Sequence, residues 1–401
     1  MLRLFSRIRF NRRRFKRQCL LLLGSLVFVF CYPLTAAILP EDRADLSYFT
    51  YSGGGVDVEI PAVSVRKQVA DSVSVSGAYY VDTITSASID VVTQASAYEE
   101  ERTQTTVGLD YLSGKSTYSL GYSLSEENDY EAATYSFAVS HSVFADLTTV
   151  ALGYSRGNDT IYSMVKDAFG VKKRDPSFEE EVTRQNYSLG ISQIITKNWL
   201  MDFTLETITD TGYLSNPYRS IRHIDPDNPT RFKFQGELYP DTRTSHAMAV
   251  RSLYYLPYRA SIMAEYRYFM DTWAIVGHQA ALGYNHTIDN KWILDVGYRF
   301  YTQSAADFYS DLFPAANSQT HMARDKELST LTSHTLNFGV TYEFTPKQFA
   351  FIKKGTINFK YYYLMVDYDD FTDIRGSTVA GEEPLYSLTA SMMHLYLSLW
   401  Y

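Results

Sequence analysis

Over most of its length the chain alternates large apolar residues with small or polar ones. TVGLDYL (106–112) sets Val107, Leu109 and Tyr111 on one face against Thr106, Gly108 and Asp110. YSLGYSL (118–124) repeats the pattern with Tyr118, Leu120, Tyr122 and Leu124 against Ser119, Gly121 and Ser123. YSFAVSH, VALGYS, YSLGIS and LNFGVTYEF obey the same rule. Successive side chains of a strand point to opposite faces, so a period of two is the signature of β structure. Sixteen such segments begin near residues 45, 58, 73, 103, 117, 134, 148, 185, 199, 245, 260, 278, 291, 333, 356 and 387. Most run for about 9–12 residues, the length of a tilted strand that crosses a membrane. GGG (53–55) and Pro61 interrupt the first two. Fourteen strands, with residues 38–70 as an internal plug, is therefore the alternative.

The connections sort by parity. Every second one is tight, as at Ala70-Asp71-Ser72, Ser113-Gly114-Lys115, Thr196-Lys197-Asn198 and Asp289-Asn290-Lys291. Those between are mostly long, near 85–102, 156–184, 208–243, 302–332 and 367–385. Short turns on one side and long loops on the other are expected of an outer-membrane barrel, with the short turns in the periplasm. The chain holds 34 Tyr, 23 Phe and 4 Trp. Clusters such as Tyr254, Tyr255 and Tyr258, or Trp400 and Tyr401, fall at strand ends, where interfacial belts lie. The last segment, HLYLSLWY (394–401), would leave an adhesive edge unless it pairs with the first strand and closes the ring. Leu395, Leu397, Leu399 and Tyr401 would then face lipid. A terminal strand of this kind also resembles the signal read by the barrel-assembly machinery.

Residues 1–18 carry eight basic side chains and no acid, and CLLLLGSLVFVFCYPL (19–34) and TAA (35–37) follow. This is the form of a secretory signal peptide, with cleavage expected after Ala37 and residues 38–401 forming the barrel. NRRRFKR (11–17) admits a twin-arginine reading and Cys31 a lipidation reading. The h-region is too uniformly apolar for the first, and Phe30 is too large for the second. Without residues 1–37 the 37 basic residues become 29 against 45 acidic ones, about −16, which argues against nucleic acid as a partner. Cys19 and Cys31 both lie in the segment expected to be removed, so the mature chain has no thiol.

Candidate chemistry is sparse. HExxH and cysteine-based motifs are absent from the sequence. By strand parity His141, His246, His278, His286 and His334 fall on the lipid side and His394 on the lumen side, with no partner that spacing assigns. His223 and His321 lie in loops. The acidic stretches SEENDYE (125–131), DPSFEEE (175–181) and DYDDFTD (367–373) suit loose bridging of lipopolysaccharide through divalent ions better than a dedicated metal site. Asp110, Asp202, Glu206, Glu265, Asp295 and Glu343 are expected to point into the lumen with Arg251, Arg267, Arg299 and Lys360, mixed in the manner of ion pairs. Inward Gly108, Gly121, Ala138, Gly153 and Gly190 leave room for a loop folded into the barrel.

LPEDRAD (39–45), YYVDTITSASIDVVTQAS (79–96), DPSFEEEVTRQNYSLG (175–190), NPYRSIR (216–222), ADFYSDLFP (306–314) and ARDKELSTL (323–331) carry a family resemblance. The chain resembles an uncharacterised proteobacterial family of exported, outer-membrane β-barrel-like proteins with a domain of unknown function. The resemblance transfers no catalytic or ligand residue and implies no cofactor. It implies a setting beside thioredoxin-like proteins, a flavin-attaching transferase and a small lipoprotein, hence extracytoplasmic redox or cofactor export. Most of these stretches fall in the long loops, where binding and mouth-capping both reside. The expectation is a non-enzymatic barrel in the outer membrane, among lipid and lipopolysaccharide, acting as a pore or gated transporter. A scaffold for a periplasmic redox protein or lipoprotein is the alternative, and a barrel-wall hydrolase the third reading.

Overall fold

The computed structural model describes residues 38–401 apart from 87–97, 168, 170, 347–348, 350 and 377–378. The signal peptide, both cysteines and most of SASIDVVTQAS lie outside the described residues. Sixteen strands form the wall: β1 (Arg43–Gly53), β2 (Val56–Ala70), β3 (Val73–Ser86), β4 (Tyr98–Ser113), β5 (Ser116–Glu126), β6 (Tyr130–Val143), β7 (Thr148–Lys166), β8 (Lys172–Thr196) and β9 (Trp199–Gly212), then β12 (Thr242–Leu256), β13 (Ala260–Asp271), β14 (Val276–Ile288), β15 (Trp292–Gln303), β16 (Leu331–Phe344), β17 (Lys354–Thr372) and β18 (Leu385–Trp400). Between β9 and β12 the chain makes a separate hairpin, β10 (Ser220–Asp225) and β11 (Asn228–Gly236).

Each wall strand pairs antiparallel with its neighbours in chain order, and the barrel closes where β1 meets β18. Arg43 lies opposite Trp400 and Gly53 opposite Ala390, so no edge remains. Both interrupted early segments are wall strands, which settles the count at sixteen and leaves no plug in residues 43–70. GGG is the hairpin turn between them. Gly54 and Gly55 take φ of 60° and 80°, and a Cβ on Gly53 would meet the Ala390 Cβ at 2.3 Å.

The outward face is apolar and uncovered, with Leu46, Val107, Leu120, Leu152, Leu282 and Leu395 all more than half exposed, apolar surface that only hydrocarbon would cover favourably. The five histidines assigned to this face are on it, each hydrogen-bonded to a neighbour: His141 to Ser116, His246 to Thr207, His278 to Tyr266, His286 to Tyr284 and His334 to Tyr298. A charge placed among these residues has no water to solvate it. Leu395→Arg is expected to cost about 2–4 kcal/mol, read as a lower urea midpoint for refolding into vesicles.

One expectation is corrected. Residues 156–184 are not a loop, because β7 and β8 stay paired up to Lys166 opposite Lys172. Above the membrane both faces of a strand meet water, so the hydrophobic alternation vanishes while the hydrogen-bond ladder continues.

Candidate functional site: a mouth closed by ion-paired loops

Three extracellular connections converge over the barrel mouth: residues 213–241, which carry the β10–β11 hairpin, residues 304–330, and residues 373–384. The first starts at β9 and reaches both ways around the ring. On one side the Tyr218 hydroxyl donates to Asp129 in the β5–β6 turn at 2.8 Å and accepts from the Met164 amide of β7 at 2.9 Å. On the other, Arg222 reaches Thr372 and Glu383 at the β17–β18 connection. β5–β6 and β17–β18 are far apart around the ring. A segment joined to both crosses the opening.

Local chemistry explains the shape of each piece. Asn216 caps the Tyr218 amide at 2.9 Å, which turns the chain into the hairpin. Asp325 accepts from the Glu327 amide at 3.0 Å and starts the 3₁₀ turn Lys326–Leu328. Tyr239, Trp273, Ile275, Phe308, Ala323 and Leu328 form a buried core beneath. In it Trp273 meets Tyr239 and Phe308 edge-on, at centroid distances of 5.5 and 5.2 Å. Burial pushes the Tyr239 hydroxyl well up, so it stays protonated and donates to Glu237 at 3.0 Å.

The pieces are locked by charge. Asp311 is the hub: it accepts from Arg222, from Arg324 at 2.8 Å and from the Thr372 hydroxyl at 2.6 Å. Arg222 is fully buried and also grips Glu383, whose side chain is 1% exposed. Its Nε donates to the Asp311 carbonyl at 2.8 Å. Arg324 donates further to the Thr372 carbonyl at 3.0 Å and stacks 4.4 Å from the Phe371 ring. Arg219 pairs with Asp325 and lies 3.8 Å from Glu327. Charges this deep persist only when paired and hydrogen-bonded.

Glu383 makes the lock acid-sensitive. Burial pushes its carboxyl up, but Arg222 and backbone amides outweigh burial and hold it below the ordinary glutamate value. A carboxylate depressed in the folded state adds stability above that ordinary value and loses it as pH falls through the lower one. The contribution of Glu383 to the cap is therefore expected to be lost only below about pH 4.3. Protease sensitivity of residues 213–241 across a pH series measures this.

The residues expected to line the lumen lie on the wall strands, in small groups. Arg251 pairs with Glu265 at 2.7 Å, and Gln279 donates to the same carboxylate at 3.1 Å. Arg267 reaches Glu206 at 3.1 Å, and Asn186 donates to Glu206 at 2.9 Å. Asp110 accepts from Ser119 at 2.5 Å and Asp202 from Ser192 at 2.6 Å. Arg299 donates to Thr335 at 3.3 Å, and Glu343 pairs with Lys354 at 2.7 Å. Asp295 leans over Gly339, one strand from Lys360, which sits directly across from His394. His394 has a partner that spacing did not reveal: Ser47, at 2.7 Å, from the opposite end of the chain. Leu395, Leu397 and Leu399 lie in the seam strand β18 between β17 and β1, and Tyr401 follows just beyond its end.

A closed sixteen-strand barrel with an apolar exterior and an ion-paired cap over its outer mouth is the architecture of an outer-membrane barrel protein. Residues 92–380 match the family described as "Protein of unknown function (DUF3570)", and the chain belongs to that family. No curated protein matches it in sequence. Similar solved structures include a bacterial polysaccharide outer membrane secretin, at 8% identity over 89% of this chain and 98% of that one, with a TM-score of 0.48. The siderophore receptor PirA from Pseudomonas aeruginosa is 12% identical over 90% of this chain, with a TM-score of 0.40, and this chain spans 63% of it. OmpT of Vibrio cholerae lacking loop L8 is 10% identical over 90% and 98%, with a TM-score of 0.39.

Proposed function

We propose that the protein is a gated outer-membrane conduit, exported by a cleaved signal peptide and shut at its outer mouth by the cap. The observation that carries this reading is the Arg222–Asp311–Glu383 lock, which joins three loops across the opening above a lumen walled by hydrophilic groups. A pore needs such a closure to be breakable, and ion pairs can be broken and re-formed where an apolar plug would need to unfold. Planar-bilayer recording of the purified protein tests the reading. Brief, rare openings from a closed baseline support it; a wide conductance that never closes, or none under any voltage or acid step, removes it.

A closed scaffold that presents its loops to a partner is the second reading, favoured by how fully the ions of the cap are matched. It requires that breaking the lock produce no conductance. A periplasmic redox protein or small lipoprotein would be the partner to test by co-purification.

A further inference from the structure

Among the described residues, one interruption of the wall's pairing lies away from the strand ends. Ladder irregularities elsewhere in the barrel lie at strand ends, next to a turn or loop, as at Ile194/Thr196 and Tyr162/Met164. Between β2 and β3 the register is unbroken, yet pairing skips from Glu59 opposite Thr83 to Ala62 opposite Tyr80. The residue responsible is Pro61, which has no N–H to give to β3. Proline in a sheet belongs at an edge, and a closed barrel has none.

Both sides of the wall are unusual at this point. Outside lies a groove of about 520 Å³ lined by Leu46, Tyr48, Pro61, Val63, Val81 and Leu395. Ser47, Ala62 and Tyr396 also line it, although their strand parity is inward. Above it the Tyr48 hydroxyl donates to outward-facing Glu59 at 2.8 Å, which puts the groove just under the polar level of the outer leaflet. Inside, Val56, Val58 and Ile84 form an apolar cluster on the same strands, with Ile60 packed against it. Behind the groove stand polar groups as well. Ser47 bonds His394, the His394 ring lies 4.8 Å from that of Tyr396, and Lys360 faces His394 without an ion pair among the described residues.

We propose that this break is a binding site and lateral portal for a single-chain amphiphile with an anionic head. The hydrocarbon tail lies in the groove at Pro61 and crosses between Ile60 and Asp82. The head meets Lys360, His394 and Ser47 on the lumen wall. The groove's position in the apolar band makes its occupant hydrocarbon, and the unpaired ammonium behind it selects a carboxylate or phosphate head. The site is separate from the cap and does not depend on conductance.

The test is photolabelling of the full mature protein in phospholipid vesicles with palmitic acid carrying a diazirine on its chain, mapped by mass spectrometry. Outward residues such as Leu120 are labelled in any case. The portal adds labelling of Ile60 and Ala62, which Ala138, inward on β6, does not share. Pro61→Val restores the missing donor and is expected to abolish the Ile60 and Ala62 labels while Leu120 keeps its own. The pair Ile60→Cys and Asp82→Cys, oxidised, closes the same gap independently. Lys360→Gln is expected to lose labelling by the acid but keep it for the diazirine alcohol of equal length. Equal labelling of Ile60 and Ala138, or labels untouched by both closing variants, overturns the portal. Equal loss of acid and alcohol in Lys360→Gln overturns the anionic head.

Discussion

Arg222→Ala is expected to convert a closed barrel into a conducting one. The guanidinium is fully buried; its removal leaves buried Glu383 without its cation and takes one of two arginines from Asp311. Breaking a buried pair by deleting one partner costs about 3–5 kcal/mol, because the remaining charge is left unsolvated. That exceeds what a surface loop contributes, so the cap and not the wall should yield. Single-channel recording reads the outcome as long openings in place of brief ones, with heat-modifiable migration on a denaturing gel unchanged. Arg222→Lys keeps the charge but loses the fork that spans two carboxylates, and should fall between the two. A silent channel in both variants would favour the scaffold reading.

Trp273→Ala strikes the same cap from its apolar side. Trp273 sits between Tyr239 and Phe308, donates Nε1–H to the Thr242 carbonyl at 3.0 Å and lies 4.4 Å beneath the Arg243 guanidinium. Emptying such a site costs about 3–5 kcal/mol. The loss is local, since the wall ladders do not pass through it. Residues 304–330 should become cleavable by protease in intact vesicles while the barrel stays closed. Loss of the folded gel form instead would show that cap and wall fold as one unit.

The stretches that carry the family resemblance have a physical reason to be specific. NPYRSIR supplies Tyr218, Arg219 and Arg222; ADFYSDLFP supplies Phe308 and Asp311; ARDKELSTL supplies Arg324, Asp325 and Glu327. In the chain they are separate loop segments, and in the fold they are one cluster. Of the two roles open to these loops, the structure shows the packing of one on another.

The wall was legible in the sequence because lipid and lumen impose opposite chemistry on alternate residues, and that contrast is written locally as a period of two. It yielded the strands, the parity of loop length and the lipid-facing histidines. Where both faces meet water the contrast disappears, so the paired stretch 156–184 read as a loop. The cap was beyond reach for a different reason. Arg222 and Glu383 lie 161 residues apart, and Ser47 and His394 lie 347 apart. No local period encodes such contacts. Only closure of the ring, which brings β1 to β18 and crosses three loops over one mouth, decided which charges meet.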